Sequence, residues 1–235
     1  MDGAPEERTS VSPEEPYAAA DVALGRGQAV ARADSRAVFG QVMGLVAFTV
    51  GFTALGAYIG RDLSGTAGLL FFIGGFACII GLNVAAKRSE PLAIIFLFGL
   101  GLLLGLAVGP VLNHYAQSEP SALWQSAGAT AAFVGGLGAY GYATRRDFSN
   151  WARALFWMLL ALIVFGVVLI FINIPGGNLI YAILGLAIFG AYTVFDFNRL
   201  RRANMDQAVP IAAGIFLDIF NVFLFFLQIF GGSNR

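Results

Sequence analysis

The sequence predicts an all-α integral membrane protein: a seven-transmembrane-helix bundle with its N-terminus in the cytoplasm and its C-terminus outside. Three observations lead there. Hydrophobic residues make up 58% of the chain and charged residues 12%, far from the balance of soluble domains. The apolar residues collect in seven runs, each near the roughly 20 residues that cross a bilayer as a helix and too long and uniform for the alternating strands of a barrel. Lysine and arginine gather on alternate connections between those runs, as the retention of positive charge in the cytoplasm requires.

Residues 1–34 come first, and they are rich in Pro, Ser, Glu, Ala and Gly with few large apolar side chains. Such a segment cannot bury enough surface to fold alone, so it is expected to be a disordered cytoplasmic tail ahead of a seven-helix transmembrane domain over 35–235. It holds no short apolar core followed by a cleavage site, so it does not read as a secretory signal.

The runs fall at about 38–60, 65–86, 91–112, 122–143, 152–174, 178–197 and 209–230. Their boundaries carry suitable chemistry. "RSEP" at 88–91 and "RDFSN" at 146–150 put Ser or Asn before an apolar run, and Pro91 and Pro210 stand in first turns, where a missing N–H costs little. Glycines recur at four-residue spacing in "GQVMG", "GAYIG", "GLLLG" and "GLAVG", a pattern expected to bring helix backbones close together in lipid. The one cysteine, Cys78, can close no internal disulfide and reads as a packing residue. No internal repeat supports the inverted architecture of many transporters.

With the N-terminus inside, twelve of the fourteen Lys and Arg residues face the cytoplasm; only Arg61 and Arg235 lie outside. The connections "HYAQSEPS" and "INIPGGN" on the outer face carry neither. A formal net charge of zero, with no basic cluster interleaved with aromatics, excludes nucleic acid as a partner class.

The residues that carry chemistry are two acids. Asp218 interrupts the last run, where Gly214, Asp218, Asn221, Phe225 and Gln228 share one helix face. A small or polar stripe on an otherwise apolar helix is expected to point into the bundle. Asp196, in "FDFNRLRR", closes the sixth run, and about eleven residues later the seventh returns, so the two helices are expected to be neighbours. Taken alone, Asp196 could instead be a helix-end acid paired with Arg199 at i+3. An ionisable group at the depth of Asp218 costs about 3 kcal/mol on insertion scales, and that cost argues for function. Two carboxyls meeting in low dielectric cannot both ionise freely; they share a proton and titrate as a pair. Protonated, the pair would be a hydrogen-bonded latch between the last two helices. Ionised, it would repel itself or attract a cation, and two carboxylates suit a weak, transient Ca²⁺ site, since a tight one needs six to eight oxygens.

Seven spans, "FDFNRLRR" ending the sixth and "IFLDIFNVFLFFLQIFGG" forming the seventh together resemble the Bax inhibitor family, also called the transmembrane Bax inhibitor motif family, in a bacterial form. The likeness covers about residues 38–232 and is strongest after 178. It implies a multi-pass protein of the bacterial plasma (inner) membrane with a pH-sensitive Ca²⁺ leak, controlled by an aspartate pair that falls on Asp196 and Asp218. It also implies a basic residue at the end of the second helix engaging that pair, either Lys87 or Arg88. "VGPVLNHYA" is similar to the family too and brings in His114, on the outer face and away from the pair. Two departures stand out: residues 65–86 hold no acid where family members often carry a glutamate, and the chain stops at "GGSNR" without the charged tail of animal members.

The leading expectation is therefore a pH-gated cation leak, not an enzyme and without a cofactor, whose partner is the lipid bilayer. The alternative is a non-transporting regulator of a membrane protease or other membrane partner, which the polar segment 1–34 favours. Intramembrane aspartyl proteolysis is set aside, because it needs glycines where Leu217 and Ile215 stand.

Overall fold

A computed structural model describes residues 15–232, with side chains described from residue 35 onward. Seven α-helices and one 3₁₀ turn build it: α1 (Glu15–Gly60), α2 (Gly65–Ala85), α3 (Glu90–Ser118), α4 (Pro120–Ala143), α5 (Trp151–Phe171), α6 (Gly177–Leu200), the 3₁₀ turn (Met205–Gln207) and α7 (Ala208–Gly232). No strand occurs among the described residues.

Six of these helices, all but α4, are long and apolar enough to cross a membrane. α4 has the length, 24 residues, but its many Gly, Ala, Ser and Thr residues lower its hydropathy. The same small residues fit it closely to α6: the Phe197 ring lies on Gly138, and the backbone of Val194 lies on Gly141.

Two differences from the sequence reading are local. Residues 15–34 of the expected disordered tail are helical and continue into the first span; residues 1–14 lie outside the described residues. A shortage of large apolar side chains limits a segment's ability to build a core, whereas its Ala, Glu and Arg content favours helix once a span is there to extend. The third helix runs on to Ser118, past the expected end at 112, with Pro110 inside it. The proline removes one backbone bond to the Leu106 carbonyl, and that carbonyl faces Gly60 of α1.

The helices pack in two groups joined by α7. α3 packs against α1 and α2, α4 and α6 pack against each other and against α7, and α7 also touches α1. α5 leans chiefly on α6 and is the least buried of the six apolar helices; α7 is the most buried. The expected glycine packing holds at one crossing. Gly56 and Gly60 of α1 meet Leu102 and Leu106 of α3, while Gly101, Gly105 and Gly109 of α3 meet Thr49, Thr53 and Ala57 of α1. It does not hold at "GQVMG", where Gly40 and Gly44 face open space. Buried hydroxyls are satisfied within their own helices: Thr49, Ser126, Thr130 and Thr193 each donate to the carbonyl four residues back, the local solution where no water is at hand. Cys78 is a free, partly buried thiol packed beside the Leu100 and Phe216 cluster.

Candidate functional site

α6 and α7 lie antiparallel in a register that three contacts fix. Asp196 packs on Gly214, the Phe225 ring packs on Gly185, and the Gln228 amide donates to the Asn178 carbonyl at 3.2 Å. Each step forward on α7 is a step back on α6. The stripe Gly214, Asp218, Phe225 and Gln228 therefore faces α6, as the 4-3-4-3 spacing predicts.

Both acids are buried, Asp196 with 7% and Asp218 with 3% of its surface exposed. Gly214 explains how they fit. A Cβ there would collide with Asp196 Oδ2, and the Asp196 Cγ would stand 3.1 Å from it. The Asp196 carboxyl thus rests on bare α7 backbone, one helical turn before Asp218, and the two carboxyls interact electrostatically. No hydrogen bond joins them, and Asp218 Oδ2 has no hydrogen-bond partner among the described residues. A buried orphan acceptor is uncommon and costs about 1–3 kcal/mol.

Tyr192 is the residue that sequence reasoning missed. The register sets it opposite Asp218, one turn before Asp196 on α6, and it interacts electrostatically with both acids. Its ring packs beside Phe189 at 5.8 Å. The signal was a tyrosine four residues before the first acid, but only the register of α7 gives that spacing a meaning.

The other expected residues divide. Arg199 acts on Asp196 through its charge, yet no ion pair within 4.0 Å forms between them; the local-pair reading of Asp196 is not what the structure shows. Asn221 turns back to its own helix, donating to the Leu217 carbonyl at 2.7 Å. Lys87 and Arg88 are exposed beyond the end of α2, and neither bonds to the pair among the described residues. His114 is exposed near the far end of α3, beside Tyr115. Beyond the aspartates, no third His, Cys, Asp or Glu joins a metal-binding group among the described residues.

The end of α6 is held by a separate polar network. Asn198, 1% exposed, donates to the carbonyls of Gly141 and Arg146 at 3.2 and 3.1 Å. Arg201 donates to the Thr144 carbonyl at 2.6 Å, and Arg202 Nη2 bonds Asn198 Oδ1 at 2.7 Å and pairs with Asp147 at 2.9 Å. The bonds to Gly141 and Thr144 satisfy carbonyls at the end of α4 that the helix leaves open, and the whole set pins the chain just after Asp196. The Arg202 guanidinium, with the Ser149 hydroxyl and N–H, holds the Asp147 carboxyl well below the usual carboxylate range. A lowered folded-state value gives stability that is present above the unfolded value and lost as pH falls through the folded one. Asp147→Asn should accordingly lower the melting temperature slightly at neutral pH and leave it unchanged in strong acid. High salt should erase the difference, because the pair is exposed. A neutral-pH effect that survives salt would show that the network, not the ion pair, supplies the stability.

Comparison with known proteins gives the family of the chain. Residues 35–235 match the family described as "Inhibitor of apoptosis-promoting Bax1". An uncharacterized membrane protein of Vibrio cholerae is 30% identical over 170 residues, 72% of each chain. An uncharacterized protein of Helicobacter pylori is 28% identical over 163 residues, 69% of this chain and 70% of its own. Mouse protein lifeguard 4 is 28% identical over 168 residues, covering 71% of this chain and 69% of its own. The family match takes in every apolar helix and ends beyond the acid-bearing pair, and on that extent the chain belongs to the Bax inhibitor family.

Proposed function

We propose that this membrane protein is a pH-gated cation leak, with Ca²⁺ as its ion and Asp196 and Asp218 as both sensor and transit ligands. One observation carries the reading: two buried carboxyls lie one helical turn apart along the seam of α6 and α7, and one oxygen of Asp218 is left without a partner among the described residues. A protonated carboxyl becomes a donor, so one shared proton would supply the missing bond and latch the helices; its loss would leave two charges that repel or draw in a cation. Two carboxylates make a site that releases as readily as it binds.

Space for the change lies alongside. A crevice of about 570 Å³ between α1, α4 and α7 is lined by Phe197, Ile215 and Ile219, the chain neighbours of Asp196, Gly214 and Asp218. In this reading α4 is the seventh span, supported by its length and its fit to α6 and α7. The N-terminus lies in the cytoplasm, the C-terminus lies outside, and the membrane is the bacterial inner membrane. No covalent chemistry or resident cofactor takes part.

Ca²⁺ flux into proteoliposomes holding only this protein, compared at mildly acidic and mildly alkaline pH, tests the proposal. Flux that rises with pH is expected. Silence at both leaves the second reading, a regulator of a membrane protease or other membrane partner, which the helical extension of α1 over residues 15–34 favours.

Asp196→Ala supplies a further test. It removes the carboxyl seated on Gly214 and with it one half of the protonated latch. A hydrogen bond worth about 1 kcal/mol net shifts an open-to-closed ratio about fivefold, so the leak at acidic pH, where the parent is most closed, should rise by about that factor. If the variant inserts normally and leaks no more than the parent in acid, Asp196 is not part of the gate.

A further inference from the structure

The arginine-rich end of the bundle holds a charge that the network around Asn198 does not use. Residues 144–153 and 199–206 carry six arginines against two aspartates, and the bonds of Asn198, Arg201 and Arg202 hold these two segments side by side. Arg201 is engaged by a carbonyl and Arg202 by Asn198 and Asp147. Arg199 is exposed and makes no hydrogen bond or ion pair among the described residues.

A recess of about 370 Å³ opens there, lined by Ser149, Phe195, Asn198, Arg199, Arg202 and Gln207. Its volume suits a small ligand. Arg199 and Gln207 bring uncommitted N–H donors to it, and Phe195 supplies an apolar wall. α5 starts two residues past Ser149; its first N–H groups, of Trp151 and Ala152, already donate to the Phe148 and Ser149 carbonyls, so the helix adds only the positive end of its dipole nearby. The acids nearby do not cancel this: Asp196 is buried and reaches Arg199 only through its charge, with no ion pair. Asp147 is already bonded by Arg202 and Ser149, and Asp206 is exposed on the 3₁₀ turn, outside the lining. The recess sits at the ends of α5 and α6, where membrane-length helices meet water and a lipid headgroup would lie.

We propose that this recess binds a phosphate-bearing anion, with Arg199 as the main ligand and Gln207 as the supporting donor. Guanidinium and phosphate match in geometry and charge, and basic pockets between helices at a membrane face hold anionic lipid headgroups. Arg199 also acts on Asp196 through its charge, so the test reads binding and not flux. The site stands or falls on binding alone.

The test is retention of phosphatidylglycerol by the full-length protein in detergent, measured by native mass spectrometry, with phosphatidylcholine and inorganic phosphate as parallel probes. The parent should retain phosphatidylglycerol over phosphatidylcholine, and Arg199→Gln should weaken retention about tenfold, the loss of a charge-assisted contact. Gln207→Ala should weaken it less. Arg88→Gln, an exposed arginine outside the recess, should leave it unchanged. Inorganic phosphate held with the same dependence on Arg199, without retention of the lipid, would keep the site and make its ligand soluble. Arg199 is exposed and unbonded, so its variant should fold, and an unchanged melting temperature checks that it has. Equal retention by parent and Arg199→Gln would overturn the proposal, as would an equal loss in Arg88→Gln, which would mark a diffuse basic surface with no site in it.

Discussion

Asp218→Asn is expected to flatten the pH response of the protein altogether. The amide has nearly the shape of the carboxyl and can still donate and accept hydrogen bonds, so it can sit in the same 3%-exposed position between α6 and α7. It can even satisfy the position of the orphan Oδ2. What it cannot do is exchange a proton. In the proposed gate, one shared proton would let the open-to-closed ratio of the parent change by up to about tenfold per pH unit; in the variant that slope should be zero, measured as Ca²⁺ flux or as any conformational signal from α6 and α7. The mean level is expected to sit near the latched state, since the amide donor is permanent. Asn221 provides the contrast, because its amide is bonded to the Leu217 carbonyl and Asn221→Leu should keep the slope. An Asp218→Asn protein that still switches with pH would move the sensor elsewhere, and Tyr192 and Asp196 would then be the groups left facing that position.

The contrast between Asp218 and Asn221 also indicates what a sequence can and cannot reveal here. Helical spacing put Gly214, Asp218, Phe225 and Gln228 on one face, and the structure turns that face to α6. Burial of Asp218 followed from an apolar helix that had nowhere else to point a carboxylate, whereas Asp196 could equally be read as a helix-end acid. Partners across a helix interface did not follow. Tyr192 opposes Asp218 only because α6 and α7 meet in one register out of several, and Asn198 matters because its acceptors are the carbonyls of Gly141 and Arg146, more than 50 residues away in the chain and invisible as side-chain types. The exposure of Lys87 and Arg88 has the same origin: a charge at a helix end can be located by composition, but its reach toward a buried pair depends on where α2 stands in the bundle. Glycine spacing likewise marked four candidate contacts without saying which of them met another helix.

That last ambiguity yields the largest expected structural effect, at Gly105. A Cβ at this position would collide with the Thr53 carbonyl oxygen and lie 2.9 Å from the Ala57 nitrogen. These are backbone atoms of α1, which cannot rotate away as the tip of a side chain can. Gly101 and Gly109, one turn to either side, are equally tight: their Cβ positions lie 2.6 Å from the Thr49 oxygen and 2.7 Å from the Ala57 oxygen. Relief at Gly105 would therefore require α1 and α3 to separate along the crossing. Overpacking a core costs about 1–3 kcal/mol and occasionally more, and Gly105→Leu should fall at or beyond the upper end, seen as a large loss of melting temperature or of properly inserted protein. Gly44→Leu is the control. It makes the same chemical change on α1, but nothing lies within 4 Å of its Cβ, so it should be nearly neutral and could gain a little from leucine's better helix propensity. If the two variants are equally stable, the close approach of α1 and α3 is not a feature of the folded protein; if both are lost, glycine is required in these helices for a reason other than packing.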